Sequence, residues 1–270
     1  MTDPAQENRA REILNARRDR RQIACANPEE LTMEAAYRIS RRIRDMRTDA
    51  GERIIGRKIG FTNPTIWDEY NVHAPIWGYM YDTTFNELHS THSRLSLAPF
   101  CEPRIEPEIA FGFARAPTVG ESEEDLLASI DWFAHGFEIV DSLFKDWKFE
   151  AADTVAAFGL HGAYLCGPRR HLKDEDPTRL LTALQTFQIE LARDGETIDI
   201  GQGANVLGSP LKALRHAIEV IAADPDADPI AAGEVVTTGT VTRAFPVNQG
   251  ETWSTNVTGL PVDDLKVVFV

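Results

Sequence analysis

The chain has 270 residues and carries 28 Lys and Arg against 42 Asp and Glu, a formal net charge of −14. This charge disfavours nucleic-acid partners, because an acidic surface repels phosphate at long range. No uninterrupted apolar run approaches the roughly 20 residues that cross a bilayer, and Cys25, Cys101 and Cys166 show no disulfide or zinc spacing, so we predict a cytoplasmic protein without a membrane partner.

The first 52 residues are predicted to form a helical N-terminal segment. Residues 5–25 are rich in Arg, Glu and Ala, and a second helix after Pro28 runs to about Asp49, with its apolar residues on one face. The first helix carries four closely spaced arginines, Arg17, Arg18, Arg20 and Arg21. We expect these to form a solvated or subunit-facing surface rather than a phosphate site.

Residues 53–270 are predicted to form one β-rich domain with a few helices. Six segments have strand character: Ile54–Phe61, Ile105–Phe113, Phe133–Val140, Phe187–Ala192, Val235–Thr238 and Leu265–Val270. Asp194-Gly195 between two alternating runs predicts a hairpin. Capping oxygens at Ser122, Asp176 and Ser209 predict three helix starts. The whole pattern indicates an α+β fold with a largely antiparallel core.

Two glutamates with alternate spacing are the first candidates for chemistry. Glu106 and Glu108 lie on one face of a predicted strand, about 6.6 Å apart along it. A divalent cation such as Mg²⁺ or Mn²⁺ would relieve their mutual repulsion, since carboxylate oxygens suit hard cations. Pro107 between them favours an edge or a bulge, so two exposed glutamates on an edge strand are an equal alternative.

Glu138 and Lys58 extend this candidate site. Glu138 lies within an apolar run, either as a salt-bridged core residue or as a third metal ligand. Lys58 shares a strand face with Gly56 and Gly60, which leaves room around its ammonium for a small ligand. The alternative is an edge-strand lysine whose neighbouring glycines mark a bulge.

Four sequence blocks give the chain a family resemblance. They are Gly56-Arg-Lys-Ile-Gly-Phe-Thr62 with Pro75-Ile-Trp-Gly-Tyr79; Arg104-Ile-Glu-Pro-Glu-Ile-Ala-Phe111; Phe137-Glu-Ile-Val-Asp-Ser142 with Asp153-Thr-Val-Ala156; and Gly201-Gln-Gly-Ala-Asn-Val-Leu-Gly-Ser-Pro-Leu211 with Ala232-Gly-Glu-Val-Val-Thr-Thr-Gly239. In this order and spacing, the chain resembles the 2-keto-4-pentenoate hydratase group of the fumarylacetoacetate hydrolase superfamily. The resemblance implies a mixed β-roll core with a helical prefix, a Mg²⁺ or Mn²⁺ site and homo-oligomers.

The resemblance also implies roles for particular residues. Glu106, Glu108 and Glu138 would be the metal ligands, Lys58 the catalytic lysine, and Asp82 would lie beside the site. The turn within Gly201–Leu211 would close over the substrate, with four substrate-binding residues: Gly203, Ala204, Val206 and Leu207.

Two departures from the family pattern concern the predicted substrate pocket. Leu143 stands where family members usually have Arg, and Ala157-Phe-Gly-Leu-His161-Gly-Ala163 replaces an Asn-Ala-Ser stretch. Both are expected to border the substrate. His161 is either a new polar contact or acid–base group, or a packed histidine in a changed loop.

The resemblance implies hydration of a 2-hydroxy-2,4-dienoate, a product of aromatic meta-cleavage. Its carboxylate and 2-oxygen would chelate the metal, Lys58 would shuttle a proton, and Glu106 or His161 would assist the water. The alternatives are decarboxylation of a 2-oxo-3-hexenedioate-type diacid, C–C hydrolysis of an acylpyruvate, and a non-catalytic partner subunit. The predicted partners are a small 2-oxo or 2-hydroxy acid and further copies of the chain, or a related decarboxylase or hydratase.

Overall fold

A computed structural model describes residues 3–64, 67–70, 72 and 74–270. The helices are α1 Pro4–Asp19, α2 Met33–Asp49, α3 Trp67–Tyr70, α4 Glu123–Leu127, α5 Ala151–Ala156, α6 Pro177–Thr186 and α7 Pro210–Ala223. The strands are β1 Ile54–Gly60, β2 Ile76–Tyr81, β3 Phe85–Glu87, β4 His92–Leu95, β5 Pro103–Phe113, β6 Ile130–Asp141, β7 His161–Cys166, β8 Arg170–His171, β9 Gln188–Arg193, β10 Glu196–Gln202, β11 Val235–Thr240, β12 Phe245–Pro246, β13 Thr252–Thr258 and β14 Lys266–Phe269. No helix within the described residues is long and apolar enough to span a membrane.

The two predicted helices of the N-terminal segment are present but shorter than expected. The side chain of Asp3 accepts a hydrogen bond from the Ala5 amide and caps α1. This helix stops before Arg20, which is left-handed at φ 53° and donates its amide back to the last turn. Thr32 Oγ1 accepts from the Ala35 amide, so α2 begins after that cap rather than after Pro28.

Most of the described strands form one mixed sheet in the order β2-β1-β11-β5-β6-β7-β3. β12 pairs with β5, and β8 pairs with β6. β1 is parallel to β11 and β3 is parallel to β7, while the other neighbours along this order are antiparallel. The outer strands β2 and β3 are joined by residues 82–84 alone. The four Cα–Cα steps across this link span at most about 14 Å, whereas six strand spacings in a flat sheet measure about 29 Å, so the sheet must curl round its own interior.

A second sheet packs against the outside of the first. Its order is β10-β9-β13-β14-β4, and the predicted hairpin at Asp194-Gly195 joins β9 to β10. Ile105, Phe137 and Ile139 of the first sheet share a buried apolar cluster with Trp253 and other residues of the second. These are the alternate residues of β5 and β6, so their opposite neighbours face the interior of the curl.

The α+β fold and the mixed β core predicted from the sequence are confirmed. The predicted caps at Ser122, Asp176 and Ser209 each accept a hydrogen bond from the first turn of a helix. The N-terminal helices share one buried cluster with the end of β6 and with residues 158–160. The boundary at residue 52 therefore stays a prediction, because apolar packing continues across it.

Candidate active site

Two neighbouring strands bring three glutamates together inside the curled sheet. Glu106 of β5 lies directly opposite Glu138 of β6, and Glu108 lies opposite Gly136. One carboxylate oxygen from each glutamate lies within 4.8 Å of the other two. That spacing is close to the span of oxygens around one divalent cation, about 4–5 Å for ligands at 2.1–2.5 Å. The cluster can therefore hold a single ion.

Pro107 separates the two glutamates of β5 at an irregularity of the sheet. The pairing between β5 and β11 shifts between Thr237 and Thr240, and the Pro107 carbonyl accepts from the Val241 amide at 3.1 Å. Pro107 has no N–H that could donate a hydrogen bond to β11. Because the pairing with β11 shifts at this point, no such donor is required there. The same bulge turns the Gly239 amide towards Glu108 Oε2, at 3.1 Å.

Buried negative charge is poorly compensated in this cluster. Burial raises the pKa of Glu106 to about 7. Burial and the charges of Glu138 and Glu106 raise the pKa of Glu108 well above its usual range. Glu108 Oε1 is buried and accepts no hydrogen bond from any described residue. A cation bound between these carboxylates would offset their burial and mutual repulsion, so the residues fit a metal ion.

Lys58 reaches the same cluster from β1. Its Nζ lies 3.1 Å from Glu138 Oε2 and donates to the Gly159 carbonyl at 3.0 Å. Burial opposes the charge, but Glu138, Glu106 and Glu108 together raise the pKa of Lys58. A Cβ at position 60 would lie 3.1 Å from Nζ, so the glycine does leave space beside the ammonium.

His161 contacts the carboxylate oxygen of Glu138 that does not face Lys58. Its Nδ1 lies 2.7 Å from Glu138 Oε1, and its Nε2 lies 2.9 Å from Thr84 Oγ1. Burial lowers the pKa of His161 although Glu138 opposes that shift, so the ring is neutral. A neutral ring that donates from Nδ1 to the carboxylate accepts the threonine hydroxyl at Nε2.

A cleft opens onto Lys58 and Glu106. Its polar lining includes Thr62, Asn63 and Thr240. Its apolar lining includes Phe61, Val140, Trp147, Leu160 and Ala244. Lys58 is the one cationic side chain among the described residues that line this cleft. The cleft therefore presents one cationic side chain beside one acid, Glu106, and the other described residues of its lining are uncharged.

The wall of this cleft contains strained backbone. Phe61, Trp147 and Leu160 line the cleft with left-handed φ angles of 54°, 56° and 63°, and Phe158 has a φ of 63°. Such conformations cost of order 1–3 kcal/mol each in residues other than glycine and persist only where their surroundings hold them. Their concentration here is typical of a functional site.

The comparison with family models decides the family. The Fumarylacetoacetate (FAA) hydrolase C-terminal model matches residues 69–268. The chain belongs to this family. It is 34% identical to "2-hydroxyhexa-2,4-dienoate hydratase" of Comamonas testosteroni over 257 residues, which cover 94% of each chain. It is 31% identical to "2-keto-4-pentenoate hydratase" of Burkholderia vietnamiensis over 83% of this chain and 82% of the relative.

A solved structure of this family matches the full chain. "4-oxalocrotonate decarboxylase from Pseudomonas putida G7 - complexed with magnesium and adipate" superimposes with a TM-score of 0.88 at 26% identity. The match covers 100% of this chain and 99% of the other. The four residues that the family resemblance singled out first, namely Lys58, Glu106, Glu108 and Glu138, are brought together here.

Asp82 does not join them. Its carboxylate accepts from the Arg53 amide at 3.1 Å and from Arg53 Nε at 2.9 Å, at the far end of β1 and β2. These hydrogen bonds hold the pKa of Asp82 below its usual range. Asp82 does not line the cleft, because Lys58 pairs with Gly78, several residues before the end of β2. The expected position beside the site is wrong.

The turn expected to close over the substrate contacts the cleft wall through its backbone. Gly203 donates its amide to the Phe187 carbonyl, and Val206 is fully buried in the core around α7. Leu207 donates its amide to the carbonyl of Thr62, which lines the cleft. Neither these three residues nor Ala204 is among the lining residues. The turn supports the wall through backbone contacts, so direct substrate contact stays a prediction.

The two departures from the family pattern have different positions. Leu143 is buried against the N-terminal helices, and its carbonyl accepts from the Ile23 amide at 2.9 Å, so it does not border the cleft. The changed loop does border it, through Gly159 and Leu160. His161 follows them but does not line the cleft.

The sequence reasoning missed several residues of the wall. Trp147 lines the cleft, and the guanidinium of Arg104 lies 4.1 Å from the centroid of its ring. Asn63 and Thr240 are also in the lining. Arg104 and Thr62 lie within recognised blocks, but Trp147 lies in an irregular stretch with no periodicity, so pattern reasoning had no signal for it.

We expect Gly159→Ala to lower turnover more than stability. A Cβ here would lie 3.2 Å from Lys58 Cδ in a left-handed residue of φ 62°. The strain costs about 1–2 kcal/mol, and displacement of Lys58 should lower kcat about tenfold, as misplaced catalytic groups do. Gly233→Ala is the control, because Gly233 has a φ of 86° with nothing within 4 Å of its added Cβ. Equal kcat in both variants, measured by dienoate consumption, would contradict this role of Gly159.

Proposed function

We propose that this chain is a divalent-metal-dependent hydratase that adds water to 2-hydroxy-2,4-dienoates. The observation that carries the proposal is the group of three glutamates with Lys58, of which Glu106 and Lys58 line an otherwise uncharged cleft. Hydratase names among the relatives, at 34% and 31% identity over most of the chain, support this reaction. The reaction class is therefore that of a hydro-lyase.

Glu106, Glu108 and Glu138 are the proposed ligands for Mg²⁺ or Mn²⁺. Their oxygens converge, and the buried Oε1 of Glu108, which accepts no hydrogen bond from a described residue, supports a bound cation. With three carboxylates as ligands, an ion of this kind would still have positions open for water and substrate oxygens. A bound divalent ion would supply Lewis-acid stabilisation of the enolate that develops during dienol-to-enone conversion.

Lys58 is the proposed proton carrier. Its ammonium borders the cleft, and the Gly159 carbonyl and Glu138 fix its position. From there it can carry the proton of the 2-hydroxyl towards the terminal carbon of the diene, which forms the unsaturated ketone. Glu106 keeps partial exposure and lines the cleft, so it is the better placed of the two proposed bases to take a proton from the attacking water. His161 is the proposed partner that orients Glu138.

Decarboxylation of a 2-oxo diacid is the second candidate, because the solved decarboxylase matches with a TM-score of 0.88. A diacid carries a second carboxylate, and an unpaired charge in a cleft of this kind is costly. Lys58 is already paired with Glu138, and the other lining residues among those described are uncharged or acidic. These features favour a monoacid with an apolar tail, and hence hydration.

The test follows the products with the purified protein. The protein is stripped with EDTA, reloaded with Mg²⁺ or Mn²⁺, and given 2-hydroxypenta-2,4-dienoate, 2-hydroxyhexa-2,4-dienoate, 4-oxalocrotonate and an acylpyruvate. We expect metal-dependent loss of dienol absorbance without CO₂ release, and no turnover in the stripped protein. CO₂ release from the diacid would show that the reaction is decarboxylation rather than hydration. Pyruvate release from the acylpyruvate would show that it is hydrolysis. A protein that binds neither metal would be a non-catalytic partner subunit.

Assembly and location complete the proposal. We propose that the chain forms homo-oligomers and lies in the cytoplasm. Light scattering of the purified protein tests the first proposal, and cell fractionation tests the second. Association with a related decarboxylase or hydratase is a further prediction, and co-purification tests it.

A further inference from the structure

A short segment, residues 158–162, carries two of the contacts that arrange the candidate site. Its Gly159 carbonyl accepts from Lys58 Nζ, and His161 donates to Glu138. The backbone of Phe158, Gly159 and Leu160 is left-handed at three successive positions, with φ angles of 63°, 62° and 63°. Two of these residues are not glycine, so this conformation needs support from outside the segment.

Arg17 of α1 supplies that support across a long stretch of sequence. Its Nη1 donates to the His161 carbonyl at 3.2 Å, and its Nη2 donates to the Gly162 carbonyl at 2.8 Å. The guanidinium also lies 5.5 Å from the ring centroid of Phe158 and 5.7 Å from that of Phe100. A planar fork with two aromatic neighbours fixes both the position and the orientation of the segment.

The same guanidinium also lies beside a buried carboxylate. Arg17 Nη1 lies 3.6 Å from Asp141 Oδ2, and Asp141 Oδ1 accepts from the amides of Cys101 and Glu102, each at 2.8 Å. Asp141 is the last residue of β6, the strand that carries Glu138. Arg17 thus connects the end of that strand to the segment that follows it. The solvated or subunit-facing surface expected for this arginine is wrong, because its side chain is 21% exposed and occupied by these contacts.

We propose that Arg17 is a positioning residue for the reaction, and that α1 is thereby a working part of the active site. Through the His161 and Gly162 carbonyls, Arg17 holds the left-handed segment so that Gly159 meets Lys58 and His161 meets Glu138. The inference rests on the proposed function for its catalytic consequence, but its structural consequence is measurable in the metal-free protein.

The competing explanation is that Arg17 only attaches α1 to the β domain. Ile13 separates the two explanations, because it is fully buried on α1 in the cluster shared with residues 158–160. Ile13→Ala should loosen the helix without removing a hydrogen bond to the segment. If Arg17 only attaches α1, Ile13→Ala and Arg17→Met should show the same changes in hydrogen exchange, Mn²⁺ affinity and kcat when both lower the Tm by the same amount.

The experiment compares Arg17→Met and Arg17→Lys with Ile13→Ala and with Arg18→Met. Arg18 neighbours Arg17, but its side chain is 70% exposed. Hydrogen exchange is measured by mass spectrometry in the metal-free protein at the amides of Leu160 and His161, which donate to the carbonyls of Ala157 and Phe158. Mn²⁺ affinity is measured by titration calorimetry, and kcat and KM are measured with 2-hydroxyhexa-2,4-dienoate.

For Arg17→Met we expect faster exchange at these two amides and a Kd for Mn²⁺ about tenfold higher, the lower end of the effect of outer partners of metal ligands. The loss in turnover should fall on kcat rather than KM, since Arg17 does not touch the cleft. Arg17→Lys keeps the positive charge but not the planar pair of donors, so it should recover only part of the Mn²⁺ affinity. If Arg17→Met does not fold, Arg17→Lys provides the test. Arg18→Met should match the wild type.

Wild-type exchange and Mn²⁺ affinity in both Arg17 variants would overturn the proposal, as would equal defects in Ile13→Ala at matched Tm. Failure of the proposed function is a separate result: the wild-type protein would then not hydrate the dienoate. In that case the exchange and Mn²⁺ measurements would still decide the role of Arg17.

Discussion

Glu108→Gln should abolish divalent-metal binding and lower turnover at least a hundredfold, because Lewis-acid stabilisation contributes several kcal/mol. The carboxamide offers one neutral oxygen in place of an anionic ligand, at the residue whose Oε1 is left uncompensated. Metal binding can be read directly from unfolding. A ligand at 100 times its Kd stabilises the native state by about 2.7 kcal/mol, and the variant should lose nearly all of this gain at the same Mn²⁺ concentration.

The same substitution should not destabilise the metal-free protein. Glu108 is buried beside Glu106 and Glu138, and its pKa is raised because the ionised form is disfavoured there. A neutral side chain of the same shape removes that repulsion, so the Tm without metal should stay equal or rise. Glu196→Gln, at an exposed position of β10, is the matched control. A variant that unfolds at lower temperature without metal but keeps its Mn²⁺-induced stabilisation would show that Glu108 is a structural residue.

Local sequence pattern was sufficient for the parts of this site that depend on one strand. Alternation along β5 placed Glu106 and Glu108 on one face, and the glycine spacing around Lys58 indicated the space beside its ammonium. The helix caps were equally local, since a capping oxygen and the amide it binds lie three residues apart. Such features need no knowledge of what lies across the molecule.

Features that depend on pairing register could not be derived in this way. Nothing in β6 alone indicates that Glu138 faces Glu106 rather than another residue of β5. Asp82 was misplaced for the same reason, because the end of β2 lies opposite Arg53 and Ile54 and not opposite Lys58. The resemblance supplied the grouping of the acids, but it could not supply the contacts of residues outside its motifs.

The contacts of Arg17 could not be predicted for the same reason, and they join residues that are far apart in the sequence. A basic cluster on a polar helix is usually solvated, and the residues that surround Arg17 lie more than 80 positions away in the chain. Left-handed residues such as Leu160 are also invisible in a sequence, because their strain is tolerated only through tertiary contacts. The wall of the cleft therefore had to be read from the structure.

Lys58→Met should keep metal binding while lowering kcat by about 10²–10⁴, the usual contribution of a positioned proton-transfer group. Methionine fills much of the lysine stem but carries no proton, so the three carboxylates remain available to the ion. Without metal, removal of the ammonium leaves Glu138 buried with one fewer partner, and breaking such a pair costs about 3–5 kcal/mol. Kinetics should therefore be measured at saturating Mn²⁺, and the Mn²⁺ titration should start from the metal-free variant, shown to be folded by circular dichroism.

Comparing the Mn²⁺ affinity with kcat distinguishes a lysine that carries a proton from a lysine that only neutralises the three carboxylates. If Lys58 merely neutralised the cluster, Lys58→Met should bind Mn²⁺ more tightly, since the cation competes with the ammonium for Glu138, and turnover at saturating metal should persist. If Lys58 moves the proton, turnover stays low at any metal concentration. Lys173→Met, at an exposed position, controls for the loss of a positive charge from an acidic protein. A wild-type kcat in Lys58→Met would assign proton transfer to another group of the cleft, with Glu106 the nearest candidate.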